Sequence, residues 1–76
     1  MRLSELQDKD VVDILSGEKL GSVIDAEISS TDGKIMKLFI FEKKGFFSGI
    51  KGEEKIIDWY NIKKIGSDVI LINKNN

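Results

Sequence analysis

The stretch that decides the fold is LGSVIDAEISSTDGKIMKLFIFE, residues 20–42. Apolar and polar residues alternate in its first half, which places Ile24, Ala26 and Ile28 on one face of a predicted strand. Asp-Gly at residues 32–33 then marks a hairpin turn, because this dipeptide readily takes the positive φ angles of tight turns. Residues 35–42 are predicted to return as an antiparallel strand that is apolar on both faces, as central or covered strands are.

Shorter strand patterns flank this hairpin. Segments rich in β-branched residues occupy residues 11–15, 55–59 and 69–72, while Leu3 and Leu6 fit either one helical turn or an extended lead-in. The sequence therefore predicts an all-β fold, a small antiparallel β-barrel of five or six short strands. The residues predicted to form its core are Val12, Ile14, Ile24, Ile28, Leu38, Ile40, Ile57, Trp59 and Leu71.

Length and composition restrict what this fold can do. The chain has 76 residues, enough for a single domain over residues 1–76, with residues 73–76 expected to be a mobile tail. It contains no histidine and no cysteine, which excludes a histidine base, a Ser/His/Asp triad, a cysteine nucleophile and a Cys/His zinc site. We therefore expect no enzymatic activity, no metal and no cofactor.

Charge and hydropathy bear on the partner and the location. The net charge of −1 provides no general attraction for nucleic acid. No segment approaches the roughly 20 apolar residues of a membrane span, and no secretory signal is present, so a cytoplasmic location is expected.

The least regular segment, residues 43–54, is predicted to be a loop and contains the candidate binding residues. They are Phe46, Phe47 and Ile50, flanked by Lys43, Lys44 and Lys51. Two interpretations stand side by side: these apolar side chains plug one end of the barrel, or they dock into a protein partner, which could be a second copy in a homodimer. A third interpretation has the lysines contact RNA phosphates while a phenylalanine stacks on a base.

Four segments in order resemble PRC-barrel domains, and among them the small single-domain YlmC/YmxH type. They are MRLSEL (residues 1–6), LGSVIDAEIS (20–29), TDGKI (31–35) and IIDWYNIKKIGSDVILI (56–72). The chain departs from this type at Asp8, where a glycine is usual, and at Asp58, where a proline is usual. The resemblance implies a compact β-barrel that binds proteins, has no catalytic residues and is associated with sporulation.

The resulting functional prediction is a non-enzymatic protein-interaction module, an adaptor, with a role in sporulation and an unidentified protein partner. The alternative is a ribosome- or RNA-associated module, since the C-terminal domain of the ribosome-maturation protein RimM shares the fold that the resemblance implies. We weigh one catalytic alternative, the carboxylate pair Asp25 and Glu27, and interpret it as the solvated face of an alternating strand.

Overall fold

The computed structural model describes residues 1–44 and 51–73, except for the side chains of residues 43, 44 and 51. This part of the chain forms one short helix, α1 (Leu3–Gln7), and the strands β1 (Asp10–Asp13), β2 (Lys19–Ile28), β3 (Ile35–Lys44), β4 (Lys51–Asp58), β5 (Ile62–Ile65) and β6 (Val69–Ile72). A 3₁₀ turn, Trp59–Asn61, joins β4 to β5. The predicted all-β class is confirmed.

The six strands form one sheet in the order β4-β3-β2-β1-β6-β5. Neighbouring strands are antiparallel except β1 and β6, which are parallel, so the expectation of an antiparallel arrangement fails at that pair. β4 and β5 are the two ends of the sheet, which is not closed by a hydrogen-bonded pair between them. Among the described strands, the long strand β4 therefore has a neighbour on one side only.

The parallel pair arises because residues from opposite ends of the chain meet at the start of β1. Lys9 is buried, and its Nζ donates a hydrogen bond to the carbonyl of Ser67 at 2.7 Å. The next residue, Asp10, donates its backbone N–H to the carbonyl of Asp68 at 3.0 Å. Both bonds join residues almost 60 positions apart, which no local sequence pattern encodes.

The β2–β3 hairpin forms where the sequence predicts it. Ser29 N–H donates to the carbonyl of Lys34 at 2.8 Å and closes a four-residue connection. Gly33 has φ +75°, while Asp32 keeps a negative φ and accepts a hydrogen bond from Lys34 N–H through its side chain. One positive φ angle, supplied by glycine, is therefore enough for this turn.

The core lies on one side of the curved sheet, beneath α1. Its buried apolar side chains are Leu6, Val11, Leu20, Val23, Leu38, Ile40, Ile57, Ile70 and Ile72. The predictions for Leu38, Ile40 and Ile57 are confirmed, and Trp59 packs against the core while half-buried. Val12 and Leu71, a cross-strand pair on the opposite face, are only half-buried.

The predicted core positions Ile14, Ile24 and Ile28 are wrong, since these side chains are 43%, 45% and 59% exposed. In β2 the cause is a bulge: Val23 pairs with Ile40 and Asp25 with Phe39, which leaves Ile24 without a partner position. The extra residue shifts the alternation by one, so that Val23 points inward instead of Ile24.

For Ile14, which directly follows β1, the cause is a buried carboxylate at the end of that strand. Asp13 is 1% exposed, and its two carboxylate oxygens accept hydrogen bonds from Leu15 N–H and from Ser16 Oγ, both at 3.1 Å. These bonds compensate the loss of hydration, so the face that carries an aspartate is the inner one. The sequence prediction places Asp13 on the solvent side and therefore expects Val12 and Ile14 to face the core, whereas Val11 and Asp13 do.

Candidate functional site

The sequence-predicted binding residues surround the connection between β3 and β4. These strands pair as far as Lys44 opposite Lys51, so the expected loop over residues 43–54 is wrong for residues 43–44 and 51–54, which lie in strands. The strand positions of Lys43, Lys44 and Lys51 place them at the end of a two-stranded ribbon. Phe46, Phe47 and Ile50 lie outside the described residues, so the choice between plug and docking segment stays a prediction.

The ribbon is anchored at its base by an aromatic ring and an ion pair. The Phe41 ring occupies the space above Gly52, where a Cβ atom would overlap it. Lys55 Nζ lies 3.3 Å from Glu42 Oε1, and both side chains are largely shielded from solvent. Glu42 neutralises Lys55, and the exposed Glu54 adds a negative charge nearby.

An apolar groove of about 510 Å³ lies between α1, the ends of β2 and β3 and the 3₁₀ turn. Its apolar lining comes from Met1, Leu3, Leu6, Ala26, Ile28, Ile35, Trp59 and Ile65, and its polar lining from Arg2 and Asp25. Three of the apolar side chains are open to solvent: Met1 is 75% exposed, Leu3 48% and Ile28 59%. The groove is thus a concave apolar surface with one cation and one carboxylate.

Helix α1 explains why this groove remains open. Leu6 points into the core and is 3% exposed, whereas Leu3, one turn earlier, reaches only the rim of the groove. A five-residue helix covers too little of the sheet to bury both leucines. Sequence reasoning missed this site because its residues come from separate segments, and the helical spacing of Leu3 and Leu6 was the one local signal.

A second cleft, of about 540 Å³, follows the edge of the sheet at the end of β4. It is lined by Leu20, by residues 55–58 of β4, and by Tyr60 and Asn61 of the 3₁₀ turn. Tyr60 is 67% exposed, while Asn61 is buried and its side-chain Oδ1 has no hydrogen-bond partner among the described residues. The 3₁₀ turn therefore separates two cavities, with Trp59 in the groove and the next two residues in the cleft.

Within residues 1–44 and 51–73, no three acidic, histidine or cysteine residues are grouped so that they could hold a metal ion. Asp25 and Glu27 are both exposed, as the interpretation of a solvated strand face requires. None of the helices in the described ranges is long and apolar enough to cross a membrane. The candidate sites of this small β domain are therefore the apolar groove and the sheet edge at β4.

Comparison with known proteins assigns this class of domain to a family. The family model for the PRC-barrel domain matches residues 1–76. The chain is 48% identical over 73 residues to the probable sporulation protein YlmC of Bacillus subtilis, a match that covers 92% of this chain and 88% of YlmC. It is 43% identical over 74 residues to the uncharacterized protein YmxH of the same organism, covering 95% of this chain and 87% of YmxH. The chain belongs to the PRC-barrel family.

Proposed function

We propose that this protein is a non-enzymatic, protein-binding module of the cytoplasm that acts in sporulation. The sporulation part is supported by the similarity to YlmC, whose name describes it as a probable sporulation protein. The protein-binding part is supported by the surface of the domain, where the described cavities present apolar and hydrogen-bonding groups.

The observation that carries the proposal is the exposure of the groove's apolar side chains. Met1, Leu3 and Ile28 line one concavity with the half-buried Trp59, although a domain of this size has few large apolar residues to spare. Contiguous apolar surface of this kind marks interaction sites in soluble proteins. The ligand that fits is an apolar segment of a partner protein, with a second copy of this chain as the competing occupant.

If the partner binds in the groove, substitutions of its exposed apolar side chains should weaken that binding. Replacing Leu3 and Ile28 with serine should weaken partner binding at least tenfold, because burying each side chain contributes about 1–2 kcal/mol. The partner is first isolated with tagged protein from sporulating cells of the native host, and its affinity for each purified variant is then measured by calorimetry. Met36→Ser is the matched control, since Met36 is 49% exposed and does not line the groove.

Equal affinities for the double variant and the control would contradict binding at the groove. Phe46→Ser/Phe47→Ser, measured against the same partner, tests whether these two residues make a second contact. Light scattering at micromolar concentration identifies the competing occupant: a dimer of the wild type that Leu3→Ser/Ile28→Ser converts to a monomer would assign the groove to self-association.

A further inference from the structure

Strand β4 forms one edge of the sheet. It is the terminal strand, and in an antiparallel ladder every second residue of such a strand directs its N–H and C=O away from its one neighbour. The cleft of about 540 Å³ is lined by four consecutive residues, 55–58, whose side chains point alternately to both faces. The cleft therefore runs along the backbone of β4, where an added strand would lie.

Asn61 lines the cleft beside β4 with a buried polar side chain. Asn61 is 9% exposed, and within residues 1–44 and 51–73 its Oδ1 accepts no hydrogen bond. A buried amide oxygen left without a donor costs about 1–3 kcal/mol, so native proteins rarely retain one without a reason. Because this oxygen is itself shielded from solvent, a chain bound beside β4 would pair with the strand backbone and not with Asn61 Oδ1.

The outer face of β4 indicates which side chains such a chain would carry. Alternation places Glu54, Ile56 and Asp58 on the same face, with Ile56 58% exposed and Glu54 also exposed. Asp58 of β4 lies opposite Lys37 of β3, and Lys37 lies opposite Glu27 of β2. This cross-strand row of three side chains therefore carries two negative charges and one positive charge. Opposite charges across neighbouring strands are favourable, whereas like charges are not.

A second copy of β4 fits this edge poorly. A two-fold axis through an antiparallel strand pair places one residue opposite itself. Centring that axis on Glu54 or Lys55 brings identical charges together, and centring it on Ile56 brings Glu54 opposite Asp58. Centring the axis on Ile57 avoids like charges but pairs only residues 56–58 of β4, so a different chain is the better occupant.

We infer that the β4 edge binds an extended peptide segment of another protein, which adds to the sheet as a seventh strand. Its side chains on the outer face alternate basic, apolar and basic, opposite Glu54, Ile56 and Asp58. The inference rests on the proposed protein-binding function and deepens it by naming the chemistry of a ligand at a surface distinct from the groove.

The test uses a blocked seven-residue peptide with lysine at positions 2 and 6, valine at position 4 and threonine elsewhere. Titration into the isotopically labelled protein should shift the backbone amide signals of residues 55–58 and the side-chain amide signals of Asn61. A peptide with glutamate for lysine should bind at least tenfold more weakly. A peptide with proline at positions 3 and 4, one on each edge of the added strand, should not bind, because one of them then removes a backbone donor that faces β4.

Protein variants separate specific pairing from general attraction. Glu54→Lys/Asp58→Asn should weaken the lysine peptide at least tenfold, whereas Asp8→Lys/Glu18→Gln makes the same charge change at exposed positions of other segments and should leave binding unchanged. Absence of binding at millimolar lysine peptide, equal binding of the proline peptide, or equal effects of the two double variants would overturn the inference. So would concentration-dependent shifts of β4 without peptide, which would indicate self-pairing.

The groove variant keeps this inference separable from the proposed function. Leu3→Ser/Ile28→Ser should bind the lysine peptide as the wild type does, because neither side chain lines the cleft. If the peptide fails to bind while the partner protein still depends on Leu3 and Ile28, the inference fails and the proposed function stands.

Discussion

Replacing Gly21 with alanine is expected to lower the free energy of unfolding by about 2–6 kcal/mol, which would unfold a marginally stable small domain. Gly21 is buried in β2 with φ +141°, a backbone conformation that side chains disfavour. A Cβ atom there would also overlap the carbonyl of Phe41 in β3, whose carbon would lie 2.8 Å away. Because that obstacle is backbone, it cannot rotate aside.

Gly33→Ala is the control that separates steric overlap from φ strain. Gly33 has φ +75°, and a Cβ atom there would meet no atom of the described residues within 4 Å, so its replacement should cost about 1–2 kcal/mol. Thermal unfolding followed by circular dichroism measures both, since 1 kcal/mol shifts the midpoint of a domain of this size by about 4–8 °C. Equal shifts for the two variants would show that β2 and β3 can separate at Gly21.

Gly21 of β2 and Gly52 of β4 both leave room for Phe41 of β3. The first lets β2 approach the backbone of Phe41, and the second leaves space for the Phe41 ring on β4. Phe41 thus fixes three strands relative to one another where the β3–β4 ribbon leaves the core. The orientation of the ribbon, and of the β4 edge, consequently depends on two residues that have no side chain.

The sequence predicts the features that depend on neighbouring residues. The β2–β3 hairpin follows from the Asp-Gly turn, and the buried Leu38 and Ile40 follow from a strand that is apolar on both faces. The parallel β1–β6 pair could not be predicted from the sequence, because it depends on hydrogen bonds from Lys9 and Asp10 to the turn before β6. Contacts between distant segments leave no periodic signal in either one.

The candidate binding surfaces likewise differ in whether neighbouring residues or distant segments form them. Apolar residues in a glycine-containing segment single out Phe46 and Phe47, because the signal lies within a few positions. The groove combines Leu3, Ile28 and Trp59 from three elements, and the cleft depends on which strand ends the sheet. Neither surface exists until the chain folds, so only the structure could reveal them.

The bulge in β2 leads to a prediction with opposite outcomes at adjacent residues. Val23→Asp should unfold the domain or nearly so, because Val23 is 3% exposed and the new carboxylate would be buried among apolar side chains. Ile24→Asp should change the free energy of unfolding by less than about 1 kcal/mol, since Ile24 is 45% exposed. The alternation read from the sequence predicts the reverse order.

A milder pair keeps this test measurable if Val23→Asp fails to fold. Val23→Thr conserves shape and adds one buried hydroxyl, at a cost of about 1–3 kcal/mol, while Ile24→Thr should cost much less. Chemical denaturation of both proteins gives the free energies directly. A larger loss at Ile24 than at Val23 would mean that β2 continues without the bulge, with Ile24, Ala26 and Ile28 facing the core.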